Sequence, residues 1–227
     1  QPGWSSGRAV TLAVLVEVSA PKPGNVHRGA DFDDATFYDF VTGAVAVAPA
    51  LGRAAETGLG RAIVDAIEAP RRSVGTNTNL GTVLLLAPLA MVPRATPLAS
   101  GVGTILDGLT AADAELVYRA IRLAAAGGLG TADEHDVRGD APAELLTAMR
   151  AAAERDLVAR QYANGFQQVL GEAVPWLVSE VEAGHSLVDA VVSTHLRLLV
   201  AYPDSLITRK AGVDAANQAA AMAARTL

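Results

Sequence analysis

Apolar residues recur along this chain at intervals of three and four, and no stretch alternates apolar with polar long enough to make a strand. Phe37, Phe40, Val41, Ala44, Val45 and Ala48 form one such run, and Ala114, Val117, Tyr118, Ile121 and Leu123 another. Of the 227 residues 51% are hydrophobic but only 4% aromatic, so the apolar mass is mostly Ala, Leu and Val. Alanine is the best helix former and lets helix axes approach closely. The expectation is an all-α protein: a single compact multi-helix domain over residues 1–227, with about nine or ten helices.

The totals also exclude several classes. A net charge of −6 argues against a broad nucleic-acid footprint, while leaving room for a local basic pocket. The absence of cysteine removes disulfides, thiolate catalysis and Cys-ligated zinc, and suits a cytoplasmic protein. Gln1-Pro-Gly-Trp-Ser-Ser lacks the basic start and cleavage site of a signal peptide. The run Val83–Val92 is too short to span a bilayer and contains Pro88, so no membrane partner is expected.

Punctuation sets the helix ends. Ser5 or Ser6 can cap a first helix that is apolar on most sides and therefore expected inside the domain, with Glu17 near its end either buried or in a surface ion pair. Asp33 can cap a helix from about Asp34 to Ala48 that Pro49 kinks or ends. The next runs from Leu59 to Ala69 and stops before Pro70. Residues 93–109 read as a Pro/Gly/Thr/Ser-rich linker or lid. Thr110 caps a helix closed by Gly127-Gly-Leu-Gly130, and Pro142 fits the first turn of another. Later helices cover 153–165, 174–182 and 186–200, and an Ala-rich helix closes the chain.

Three polar nodes interrupt this pattern. In Ser19-Ala-Pro-Lys-Pro-Gly-Asn-Val-His-Arg28 two prolines stiffen an extended segment and Gly24 allows a turn. Lys22, Asn25, His27 and Arg28 precede Asp31, Asp33 and Asp34, an order that suits a phosphate with its metal ion; a polar connecting loop is the alternative. Gly75-Thr-Asn-Thr-Asn-Leu-Gly81 leads into an apolar helix, whose free N–H groups attract anions unless Thr76, Asn77 and Asn79 merely compete to cap it. On the helix at 153–165, Asp156 and Arg160 can pair four residues apart, or Arg160 can reach a phosphate, with Arg209 and Lys210 on a late turn as companions. Asp133-Glu-His-Asp136 is either a cation site through Asp136 or a solvated turn. His195, among Leu196, Leu198 and Leu199, reads as a core histidine. No Gly-x-x-x-x-Gly-Lys-Ser/Thr loop, Gly-x-Ser-x-Gly elbow or His-Glu-x-x-His motif is present, so the residues alone point only to a phosphorylated ligand.

At these nodes the chain resembles the triphosphoribosyl-dephospho-CoA synthase family. The resemblance rests on Glu17-Val-Ser-Ala-Pro-Lys-Pro-Gly-Asn-Val-His27, on Thr76-Asn-Thr-Asn-Leu-Gly81 and on Asp204-Ser-Leu-Ile-Thr-Arg-Lys210. It implies an all-helical enzyme in which the ribose 2′-hydroxyl of dephospho-CoA displaces adenine from ATP, with Mg2+ on the triphosphate. The product is a prosthetic-group precursor. It also implies roles: Glu17 or Asp33 to stabilise the cationic ribose, His27 or a carboxylate to take the proton, and Lys22, Arg160, Arg209 and Lys210 for phosphates. Asn25, Thr76, Asn77, Asn79 and Gly81 would bind nucleotide, and Asp31, Asp34 and Asp136 the metal. Many synthases carry Asn-Thr-His-Lys-Gly where this chain has Asn77-Thr-Asn-Leu-Gly81. That likens it to a branch of archaea and of bacteria with methanopterin-type one-carbon metabolism. A one-carbon cofactor precursor as acceptor, or nucleotide binding without turnover, are the alternatives. A homo-oligomer is left open.

Overall fold

The computed structural model of the chain describes residues 3–71, 79–124, 132 and 134–227. Among these there are thirteen α-helices and one π-helical turn, and no strand beyond two isolated bridges, His27 with Ala30 and Phe32 with Ala35. The all-helical expectation holds, but the count of nine or ten was low. The supposed linker 93–109 contains a helix, and four- and seven-residue helices fall between the longer periodic runs. None of the described helices is long and apolar enough to cross a membrane.

The larger core is built around α4 (Leu59–Arg71), which packs on α2 (Phe37–Gly52), α3 (Ala54–Thr57), α5 (Leu80–Met91) and α7 (Ala111–Ala124). Leu51, Leu59, Ile63, Ile67 and Val83 are fully covered there, with α6 (Leu98–Asp107), α8 (Leu145–Ala152) and α9 (Leu157–Asn164) closing the sides. A smaller cluster, Leu196, Leu199 and Ala223, joins α11 (Leu187–Ala201) to α13 (Val213–Thr226). The π turn Val169–Ala173, α10 (Val174–Glu182) and α12 (Ser205–Ala211) complete this second group. Helix α1 (Ser6–Ser19) lies on α2 and touches α11. Its approach to α2 needs glycine: a Cβ on Gly7 would sit 2.7 Å from the Ala48 carbonyl oxygen.

Burial of α1 departs from expectation in a way that matters later. Only Gly7, Val10, Val14 and Val18 are buried, against α2, while Leu12 is exposed and Val16 half-exposed. The surplus apolar face is left over from packing.

Several helix ends also differ. Helix α2 starts at Phe37 behind Thr36, which forms a reciprocal capping box with Asp39, so Asp33 is not the cap. Pro142 does not open a helix; α8 begins at Leu145. Asp156 caps α9 through the N–H groups of Val158 and Ala159, which shortens the expected 153–165 helix from its front. The glycines at 127–130 lie outside the described residues.

Pro49 and Pro70 sit inside helices that they were expected to kink or end, and Pro88 also lies within a helix. Proline removes one N–H donor, so in α5 the Leu84 carbonyl lacks its i+4 partner at Pro88. The phenol of Tyr162, buried on α9, donates to that carbonyl at 2.6 Å. Burial raises the Tyr162 pKa and keeps the donor protonated. A fault in one helix is thereby mended by a neighbouring one. Tyr162→Phe is expected to cost about 1–3 kcal/mol in urea unfolding, the range for a buried carbonyl left unpaired. In a Pro88→Ala background, which returns the helical donor, the same change should cost clearly less.

Candidate functional site

The site begins where α1 ends. Pro21 and Pro23 bend the chain back, Gly24 turns it at φ 78°, and Ala20 and Val26 anchor the loop in the core. This returns Lys22 to the last turn of α1. Its Nζ donates to the Glu17 carbonyl and pairs with Glu17 Oε1 at 2.8 Å. A cation at a helix C-terminus meets the negative end of the dipole and one of the carbonyls that the helix leaves unpaired. The lysine side chain is 4% exposed and the glutamate 45%, so the ammonium is covered while its counter-ion faces a cavity. An ammonium has three N–H donors. These two contacts account for two.

That cavity, about 600 Å³, runs between α1 and the α10–α11 pair. Leu12, Ala13 and Val16, the surplus face of α1, line one wall, and Val174, Leu177, Leu187 and Val191 the other. Lys22, Glu17, Asn25, Thr194 and His195 supply its polar groups. The Thr194 hydroxyl is buried and makes no hydrogen bond among the described residues. Small-molecule sites have this size and this mixture of apolar walls with a few convergent polar groups.

His195, on α11, also lines a second cavity of about 210 Å³ bounded by Leu85, Val158, Gln161, Gln168, Tyr202 and Asp204. Its Nε2 lies 3.2 Å from the carbonyl oxygen of Pro23, so the proline loop and α11 are tied at the point where the cavities meet. The reading of His195 as a core histidine overlooked this, because contact with a residue 172 positions away leaves no trace in local spacing. Burial lowers the His195 pKa below its ordinary value. The bond to Pro23 opposes the drop, Lys22 adds to it, and Asp204 and Glu17 oppose it. In the smaller cavity Tyr202 donates to both oxygens of Glu172, at 2.7 and 2.8 Å, and that carboxylate raises the phenol's pKa.

The start of α5 approaches this second cavity. Asn79 is buried, and a Cβ on Gly81 would lie 3.8 Å from Val158 Cγ2, on the wall of the smaller space. Thr76 and Asn77 lie outside the described residues. The proline loop lines the larger cavity, Gly81 near the start of α5 stands by the wall of the smaller one, and the two cavities share His195.

Other predicted site residues stand apart from these walls. His27 Nδ1 accepts from the Gly29 N–H and shapes the loop. Asp31 accepts from the Phe37 N–H at the head of α2, and Asp33 and Asp34 are exposed. Asp136 accepts from the Ala132 and Arg138 N–H groups and the Arg138 guanidinium, which hold its carboxyl far below the usual range. The proposed metal set of Asp31, Asp34 and Asp136 is not gathered: among the described residues no three carboxylate or imidazole groups converge. Asp133 lies outside the described residues.

The Asp156–Arg160 pair is not formed either. Asp156 pairs with Arg209 at 2.9 Å, tying α12 to the cap of α9, while Arg160 donates to the Ala153 carbonyl and lies 3.7 Å from Glu154. Arg209 and Lys210 occupy the last turn of α12 rather than a free turn, and Lys210 is exposed.

In this all-helical protein an apolar groove is closed at one end by a covered lysine from the proline loop, a carboxylate near the end of α1 and an imidazole on α11. The chain belongs to the family described as CitG, ATP:dephospho-CoA triphosphoribosyl transferase, whose model matches residues 4–227. Its activity is ATP-dependent transfer of a triphosphoribosyl group to dephospho-CoA. A solved Archaeoglobus fulgidus protein, described provisionally as a triphosphoribosyl-dephospho-CoA synthase, superposes with a TM-score of 0.69 at 25% identity. The match covers 85% of this chain and 83% of that one. No curated protein matches the sequence. The alternative acceptor and the non-catalytic reading are not favoured.

Glu17→Gln removes the counter-charge of a covered ammonium but leaves the carbonyl contact. The expected cost is about 1 kcal/mol in denaturant unfolding, since solvent screens the half-exposed carboxylate, and it should shrink in a Glu17→Gln/Lys22→Met double variant.

Proposed function

We propose that the transfer occurs at the polar end of the larger cavity, where the two cavities meet. The observation that carries this is Lys22: a covered cation with one N–H beyond its two contacts, at the mouth of the one groove large enough for a nucleotide cofactor among those described. A triphosphate oxygen takes that third N–H. Asn25, on the same wall, adds a polar contact. Glu17, partly exposed to the cavity, faces the positive charge that builds on the ribose as adenine departs, where a fixed carboxylate lowers the barrier.

The smaller cavity suits the adenine and ribose. Gln161, Gln168 and Tyr202 line it, and Gly81, near the start of α5, stands beside its Val158 wall. The acceptor enters along the apolar groove, with the gem-dimethyl pantetheine arm against Leu12, Leu177 and Leu187 and its ribose end toward Lys22. Mg2+ comes as the counter-ion of the triphosphate, as part of the substrate; among the described residues no three carboxylate or imidazole groups converge. ATP and a CoA precursor are metabolites of the cytoplasm, and we place the protein there.

Incubation with ATP, Mg2+ and dephospho-CoA should release free adenine, read by chromatography, and omission of dephospho-CoA should abolish it. Lys22→Met keeps the apolar stem and removes the charge. Its kcat/KM for ATP is expected to fall by about tenfold or more, the loss of one charge-assisted hydrogen bond. Unchanged turnover in Lys22→Met would remove the triphosphate from this place.

A further inference from the structure

His195 is the titratable group that both cavities share, and nothing so far gives it a chemical task. Three features of its setting bear on one. First, its Nε2 partner is the Pro23 carbonyl, which can only accept, so Nε2 carries the hydrogen in that contact. In the neutral ring Nδ1 is then the unprotonated nitrogen. Second, the ring is fixed from two sides, by α11 beneath it and by the proline-stiffened loop opposite. Third, the charged groups around it are Lys22 and Glu17 from the α1 end and Asp204 from the cap of α12. The two carboxylates favour an imidazolium once formed, and the one ammonium opposes it.

We propose that His195 is the general base of the transfer, its Nδ1 taking the proton of the acceptor hydroxyl. The proposal rests on the placement of the reaction at this junction. In the step, the acceptor's 2′-oxygen forms a bond to C1′ of the ATP ribose while the bond from C1′ to N9 of adenine breaks. The electron pair of that bond leaves with adenine. The hydroxyl proton passes to Nδ1, and the imidazolium then yields it to the departing adenine, so the pair ends neutral. The Nε2–H bond to Pro23 is kept throughout and holds the ring in the tautomer the step requires.

The depressed pKa gives the sign of the pH dependence. A base must be unprotonated to act, so kcat/KM should be level at neutral pH and fall as pH drops through the His195 pKa, below the ordinary 6.5.

The test compares the full-length protein with His195→Gln, whose amide can still donate to the Pro23 carbonyl but cannot take a proton. Adenine release with ATP, Mg2+ and dephospho-CoA is expected to lose about 100-fold or more in kcat, as for removal of a general base, with the KM for ATP little changed. The residual activity should lack the acidic limb. A His195→Gln variant that retains wild-type kcat would reduce the histidine to a tie for the loop and overturn the proposal. So would a wild-type profile without an acidic limb below 6.5, a measurement independent of whether the variant folds. If the wild-type protein releases no adenine at all, both the placement and the base fall. If it turns over normally and only His195→Gln is silent in effect, the base alone falls.

Discussion

A covered ammonium at the end of α1 holds the site together. Lys22 answers two needs of the helix at once, taking a terminal carbonyl and neutralising Glu17, and it can do so only because Pro21 and Pro23 turn the chain back on itself. The same turn presents the Pro23 carbonyl to His195 on α11, 172 residues later in the chain. Loop, first helix and C-terminal helices are therefore joined through one proline-bounded residue. A charge is rarely left so covered without partners, and Lys22 finds both of its own on Glu17.

The walls of that pocket come from apolar residues that the cores do not use. Helix α1 gives Val10, Val14 and Val18 to its contact with α2 and keeps Leu12 and Val16 for the cavity, facing Leu177 and Leu187. The C-terminal helices have only a small cluster of their own, around Leu196 and Leu199, so their remaining apolar face is likewise left to the groove. The larger core can spare them because α4 is surrounded on several sides and its Leu59, Ile63 and Ile67 are fully covered. Even its weak points are repaired locally, as where Tyr162 replaces the donor that Pro88 lacks.

Much of this was legible from residue order. The 3.6-residue period gave an all-helical chain, and Ser5 and Thr110 stand at helix heads as capping residues do. The Pro-Lys-Pro-Gly loop was legible as a stiff turn because its rigidity is written in consecutive residues. Helix interruptions were less legible. Pro49 read as a kink or end and Pro70 as a stop, yet α2 and α4 run past them, and at Pro88 in α5 the carbonyl left without its donor is met by Tyr162. The acidic residues misled: Asp31 and Asp136 look like ligands in a row of carboxylates but are spent on backbone N–H groups and on Arg138.

The sequence by itself determined the fold class, the family, and the place of the lysine loop, since periodicity, proline and motif order are local properties of the chain. Tertiary structure alone decided which charges meet. It paired Asp156 with Arg209 instead of Arg160, kept Asp31 and Asp136 from forming one metal set, and brought His195 to the junction of two cavities. Electrostatic and hydrogen-bond partners are chosen by distance in space, and across 53 or 172 residues of chain no local spacing encodes that distance.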